Sequence, residues 1–383
     1  MRCPTLVPFA VACLMACAPT VSHPHAAKSS ASNAVPEPAI PAVLSAFDSY
    51  EVVAIPEGHG MKDIDDFILA LIRDPRFPDK VNDIAVECGN SLYQPVLDRY
   101  IAGMDVPFTE VRKVWRNTTQ SMMCSQSAFF EQFFPLVRAV NQRLPRNNRL
   151  RVLAGDPPID WDQVKTADDA GRYFKRDETI ASVMEKEVLA RHRKALMLFG
   201  TFHLMHGQGI NAVSTYEKDY PHVTFVISDL GHYDTSRFAS WPNPSLVPTK
   251  GTWLGALSPS DIWTPTIRVI NCKMQVGFPP ELQKPVEDVV DAFLYLDPRD
   301  VRLFEPTPAD IALDTAYMTE LQRREALTAF PGTPPRSLEE MRDEILQEAQ
   351  HTILEGPPPP PDVKAIEEIE ESCRAQQRES APR

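Results

Sequence analysis

A chain of 383 residues that is 43% hydrophobic and 24% charged has enough apolar content for a packed core, so disorder does not describe it as a whole. Its formal net charge of -13, with a pI near 5.2, provides no basic field to release counterions from phosphate, and no nucleic-acid partner is expected. Proline is the outlier at 37 residues, and it gathers behind the leader, in the middle of the chain and at its end, where it marks extended linkers and rigid loops.

Arg2 precedes an apolar run over residues 6–15, too short to span a bilayer but suited to the core of a secretory signal. Leu14-Met15-Ala16-Cys17 then has the pattern of a lipobox with Cys17 as the lipidated residue; cleavage nearby by ordinary signal peptidase is the alternative. Residues 1–17 are therefore expected to be a signal peptide and the protein to be exported to a bacterial envelope or periplasm. Any membrane association is expected only through that anchor, because no later segment is apolar enough to span. Residues 18–45, rich in Ala, Ser, Pro and His without periodicity, read as a flexible linker. Cys88, Cys124, Cys272 and Cys373 remain beyond the leader. They permit three disulfide pairings, and without a C-x-x-C pair no thiolate zinc site is expected.

From residue 46 to about 330 the pattern alternates between strand and helix, predicting a single α/β domain with a mostly parallel central sheet and helices on both faces. The apolar run over residues 52–55 ends in Pro56-Glu57-Gly58-His59-Gly60. A helix-spaced segment follows and stops at Asp74-Pro75. A second apolar strand, residues 84–86, meets Glu87, and helices are predicted near residues 92–101, 108–115 and 129–144. Residues 150–154 form the next strand and run into Gly155-Asp156. A helix over 178–192 leads to the strand 195–199 and to Gly200-Thr201-Phe202-His203, and a last strand, 223–227, meets Ser228-Asp229. A Trp-, Pro- and Gly-rich insertion is expected at about 235–283. An apolar strand then returns over 289–296, followed by a helix over 309–329; residues 331–383 read as a C-terminal helix, polyproline and an acidic tail.

Five predicted strands thus deliver an acid or a histidine just past their carboxyl ends, the edge at which parallel sheets bind ligands. Any one of these residues alone could be a cap or a turn former; the repetition is what marks Glu57, His59, Glu87 and His203 as site candidates. Asp156 and Arg176 are supporting candidates, each with a simpler alternative, a turn for Asp156 and a salt bridge for Arg176, and His206 is either a further ligand or a helix-face residue. Two imidazoles and two carboxylates permit a divalent-metal site, Zn or Mn, with Glu57, His59 and His203 as ligands. They equally permit a metal-free site in which one His activates water and the other His or Arg176 stabilises an oxyanion. No Gly-x-Ser-x-Gly elbow, Walker loop or Gly-x-Gly-x-x-Gly after a strand occurs, so serine-hydrolase and nucleotide chemistry lack a motif.

The order strand-Glu57-Gly58-His59-Gly60, strand-Glu87, a helix with Gln94 and Tyr100, then strand-Gly200-x-x-His203 resembles the superfamily of erythromycin esterases, ChaN haem-binding lipoproteins and Tiki metalloproteases. The resemblance covers about residues 50–230, with a further likeness at Asp291-Ala292-Phe293-Leu294-Tyr295-Leu296. Pro56 stands where the first loop of the family usually has Gly; the later Gly-x-x-His is intact. The resemblance implies a water-activating hydrolase of an ester or amide, small molecule or peptide, with or without a metal. Its ChaN branch implies instead a lipoprotein that holds haem or another ligand without turnover.

Overall fold

The computed structural model describes residues 32–207, 209–263, 267–270, 272–276, 278, 282–296, 302–303, 305–329, 336–350 and 354–355, with scattered positions between 367 and 378. The expected signal peptide with Cys17, the polyproline run and most of the acidic tail lie outside the described residues. In chain order the strands are β1 (Glu37–Pro38), β2 (Val52–Pro56), β3 (Asp83–Asn90), β4 (Arg151–Asp156), β5 (Ala195–Phe199), β6 (Thr224–Asp229), β7 (Ser245–Pro248), the hairpin β8 (Ile267–Ile270) and β9 (Lys273–Val276), and β10 (Ala292–Tyr295). Eight of them form one sheet in the order β1-β7-β10-β6-β2-β5-β3-β4. The six from β10 to β4 run parallel, β7 is antiparallel to β10, and β1 is antiparallel to β7. The chain is α/β with a mostly parallel sheet.

Strand alternation decides which face each side chain feeds. Val53 and Ile55, Ile84 and Val86, and Leu196 and Leu198 enter one core with the helices Ala39–Ala46, Lys62–Arg73, Gln94–Ile101, Phe108–Arg116 and Phe129–Asn141. Val52, Ala54, Ala85, Met197 and Phe199 enter the opposite core with the helices Arg176–Glu187 and Ala212–Tyr216 and the segment from Phe238 to Tyr295. All five residues of β2 are buried, as both-face coverage requires.

Three elements differ from the sequence reading. Residues 39–45, read as linker, belong to a helix, Ala39–Ala46, because Ala39, Val43 and Leu44 share a buried face and Pro41 falls in the first turn, where its missing N–H costs nothing. The insertion contributes β7 to the main sheet, a strand too short to stand out by pattern. β3 does not stop at Glu87 but continues to Asn90 through a register shift after Val86, which sets the Glu87 side chain at the sheet edge from within a strand.

The helices Asp310–Leu313, Thr315–Thr328 and Leu338–Gln350 build a small core of their own from Ile311, Met318, Leu321, Met341 and Ile345. They dock on the turn at 116–121 through Arg324. Its Nη1 donates to Arg116 O (3.0 Å), Asn117 Oδ1 (2.9 Å) and Ser121 Oγ (3.0 Å), and its guanidinium lies 5.0 Å from the Trp161 ring centre.

Candidate functional site

Four adjacent parallel strands, β2, β5, β3 and β4, place Glu57, Gly200, Glu87 and Asp156 along one edge of the sheet. The loop after β2 is tight enough that His59 takes a left-handed backbone conformation, φ 49°, and Gly60 follows at φ 94°. For a non-glycine residue that conformation costs about 1–2 kcal/mol and persists only where the surroundings over-determine it. What holds the ring is Glu57, whose Oε2 lies 2.8 Å from His59 Nδ1; the Glu57 side chain is buried, while about a third of the His59 side chain, 35%, is exposed. The other ring nitrogen, Nε2, is left facing the sheet edge. A β-carbon on Gly200 would lie 3.0 Å from His59 Nε2 and 3.3 Å from Glu87 Oε2, so both atoms converge on the space that Gly200 leaves free.

A second histidine has the same arrangement. His203, in the short helix Thr201–Leu204, directs Nδ1 to Asp177 Oδ1 at 2.7 Å and Nε2 toward Glu87 Oε1 at 3.5 Å. Asp177 is itself fixed by the Ala212 N–H (2.7 Å) and stands beside Arg176 in the first turn of the helix Arg176–Glu187. Arg176, 5% exposed, joins the strands: Nη2 donates to Glu87 Oε1 (2.7 Å) and Nε to Asp156 Oδ1 (3.0 Å), while Nη1 lies 3.3 Å from His203 Nε2. Asp156 also accepts from Thr119 N and Oγ1, both at 2.6 Å, so its role extends well beyond the turn it closes. Glu87 Oε2 accepts from the Gly200 N–H. Gln120 packs on the same group: its amide donates to Glu87 Oε1 at 3.3 Å, and turned over its oxygen accepts from Arg176.

The charges follow from this geometry. Burial alone would raise Glu87, but Arg176, His203 and His59 together hold it well below the usual carboxylate range. Burial pulls both histidines down, and their carboxylates outweigh it: Glu57 and then Glu87 push His59 up to about 9, and Glu87 with Asp177 push His203 up to about 9. For Asp156 burial wins over Arg176 and Thr119, and its carboxyl is raised. Both shifts favour the protonated imidazoles and so work against the metal-free base allowed by the sequence reading, while the Arg176 guanidinium beside His203 Nε2 opposes them.

Among the described residues, the acids and histidines whose donor atoms fall within 4.8 Å of one another are Glu57, His59 and Glu87. This group differs at one position from the sequence expectation of Glu57, His59 and His203; His203 sits just behind, on Glu87. His206 is elsewhere, clamped between Glu217 Oε2 (2.9 Å) and Asp291 Oδ2 (3.0 Å), and Asp229 accepts from the Gly231 N–H (3.3 Å) at the end of β6. Sequence reasoning singled out Asp177 only with Arg176, with an ordinary salt bridge as its simplest role, and missed Thr119 and Gln120 as site residues. Asp177 had a signal in its place beside Arg176, whereas Thr119 and Gln120 reach the site from a turn with no pattern of its own.

No family model matches the chain, and no curated protein matches it. Two solved structures are similar to it. One is a Bacillus cereus protein, 10% identical, covering 69% of this chain and 94% of that one, with a TM-score of 0.40. The other is ChaN of Campylobacter jejuni, solved with cofacial haem, 12% identical, covering 49% of this chain and 84% of that one, with a TM-score of 0.30. The functional reading therefore rests on the side chains.

Proposed function

We propose that the protein is an exported, metal-assisted hydrolase that activates water at the edge formed by Glu57, His59, Glu87 and His203, acting on an ester or amide of a small molecule or peptide. The observation that carries the reading is the clustering of the Glu57, His59 and Glu87 donor atoms within 4.8 Å, with His59 Nε2 and Glu87 Oε2 turned to the space over Gly200. The donor set suits Zn or Mn, imidazole nitrogen with carboxylate oxygen, and a bound ion of this kind lowers the pKa of water toward neutrality. Glu57 against Nδ1 is the arrangement that orients a ligating imidazole and raises its basicity. His203, backed by Asp177, would donate a proton or stabilise an oxyanion, and Arg176 would hold Glu87 in line between the two histidines. The buried Cys88–Cys124 disulfide supports an exported location, since such bonds persist in oxidising compartments.

Metal analysis of the purified protein with a Zn²⁺ or Mn²⁺ titration tests the reading. One equivalent is expected in the wild type, weakened at least about tenfold in His59→Ala and in Glu87→Gln. Absence of metal binding, with a Soret band on adding haem that His59→Ala and His203→Ala abolish, would replace this reading with a haem-holding role. Neither metal nor haem binding would remove the site from consideration.

A further inference from the structure

Three loops rim the sheet edge on which the site stands: the one after β2 that carries His59, the turn at 116–121 beside Glu87 and Asp156, and the one after β4. The C-terminal helices and the chain that leads into them touch all three. At the first, the Glu305 N–H donates to Gly60 O at 2.7 Å, one residue past His59. At the second, Tyr317 Oη donates to Arg116 O (2.6 Å) beside the bonds from Arg324, and Arg116 Nη2 donates to Asp310 Oδ2 (3.1 Å). At the third, Arg323 donates Nη1 to Val164 O (2.7 Å) and Nη2 to Trp161 O (2.8 Å), and Leu327 packs against the cluster of Ile159, Trp161 and Val164. The last helix braces the rest: Thr307 Oγ1 donates to Glu348 Oε2 (2.9 Å), and Arg342 Nε to Ala312 O (3.1 Å).

Strand order turns these contacts into a limit on access. β5 and β3 lie between β2 and β4, so at about 4.8 Å per strand the unit reaches across about 14 Å and passes the ends of the two strands that lead to Gly200 and supply Glu87. Glu57, Glu87, Asp156 and Arg176 are all buried, while 18% of the His203 side chain and about a third of His59 remain exposed. The approach to the site is therefore beside the two imidazoles. A small ligand, or the free end of a chain, needs only that approach. An internal bond of a folded protein arrives with chain on both sides of it and needs an open groove along the edge.

We propose that the helices Asp310–Leu313, Thr315–Thr328 and Leu338–Gln350, with the chain at Glu305, form a cap that restricts the site to an ester or amide carried by a small molecule or by the free end of a chain. The bond attacked rests on the hydrolase reading; the cap rests on the contacts alone.

The test uses the full chain, metal-free, and two acylating reagents of the same chemistry and different bulk, diethyl and dibenzyl dicarbonate, with the modified histidines located by peptide mass spectrometry. Taking the ratio of the two rates at one residue cancels its protonation state. In the wild type the preference for the small reagent is expected to be at least about fivefold greater at His59 than at His192, whose side chain is 87% exposed. Arg324→Ala, which frees the cap from the turn at 116–121, is expected to cut that excess at least about twofold. Equal preference at the two histidines, or an excess unchanged in both Arg324→Ala and Tyr317→Phe, overturns the cap. If Arg324→Ala does not fold, Tyr317→Phe, which removes a single hydrogen bond, decides. Cleavage of internal bonds in native lysozyme by the purified wild type overturns the substrate limit. Failure of the metal titration removes the hydrolase reading and leaves the reagent ratios untouched, so the two failures are distinguishable.

Discussion

The two ends of the sheet treat buried carboxylates in opposite ways. At the amino end of β3, Asp83 is completely buried and saturated: Arg151 donates Nε to Oδ1 (2.7 Å) and Nη2 to Oδ2 (3.2 Å), and Arg193 donates Nε to Oδ2 (2.6 Å) and Nη2 to Oδ1 (2.8 Å). At the carboxyl end, Asp65 is buried just as deeply and neither of its oxygens has a hydrogen-bond partner. An unpaired buried ion costs several kcal/mol, against a total stability of about 5–15 kcal/mol, so the second arrangement calls for a proton or a cation in compensation. A saturated acid is an anchor of the fold. An unsaturated one is a demand for something else, and the molecule concentrates that demand at one edge.

Substitutions at the anchored end should be expensive and indifferent to ligands. Asp83→Ala is expected to lose about 3–4 kcal/mol, below the top of the range for broken buried pairs because Arg151 and Arg193 are about a third exposed; urea unfolding should give the same loss with and without divalent metal. At the carboxyl end itself, Cys88 and Cys124 close a disulfide across 36 residues, joining the residue after Glu87 to the helix that follows Gln120. Replacing both by Ser is expected to cost about 2–4 kcal/mol and, unlike Asp83→Ala, to weaken metal binding too, since Gln120 and Thr119 are held by the same bond.

The site end should also respond to pH. His59 and His203 titrate near 9 in the folded metal-free protein and near 6.5 when unfolded, so their contribution to stability is fully present below about pH 6.5 and is lost as pH rises through about 9. Thermal unfolding between pH 6 and 10 should show that fall, while metal affinity rises across the same interval because the ion replaces protons. His206, also raised to about 9 by Asp291 and Glu217 after burial lowers it, adds to the slope with the same sign. His206→Gln should therefore flatten the stability profile and leave metal affinity unchanged. The smallest effect on stability is expected from Gly200→Ala. Gly200 has φ -56° and ψ 142°, open to any residue, so folding should change by less than about 1 kcal/mol. The added methyl meets His59 Nε2, and metal affinity should drop about tenfold all the same.

How much of this was legible in the sequence depends on the length of the signal. The parallel strands β2 to β6 and β10 announced themselves because a strand covered on both faces is a continuous apolar run, and the polar residue that ends the run is conspicuous. Asp156 and Arg176 were visible as residues but not as partners, since their pairing depends on a contact between the end of β4 and the helix after it. β7 was hidden because the four residues Ser245–Pro248 are too few to show a strand pattern. Asp65 lies within the helix-spaced segment that stops at Asp74-Pro75, where its spacing from Ile68 and Ile72 puts it beside the buried face.

Arg324 reaches Ser121 across 203 residues of sequence and, in the same fan of bonds, holds Asn117 and the Arg116 carbonyl. Thr119 and Gln120 lie inside that span. The turn that supports Asp156 and Glu87 is therefore braced by the helix Thr315–Thr328 as well as by the strands, and its amides should lose protection when that helix opens. In hydrogen exchange, the helix Thr315–Thr328 and the floor of the sheet edge are expected to respond together.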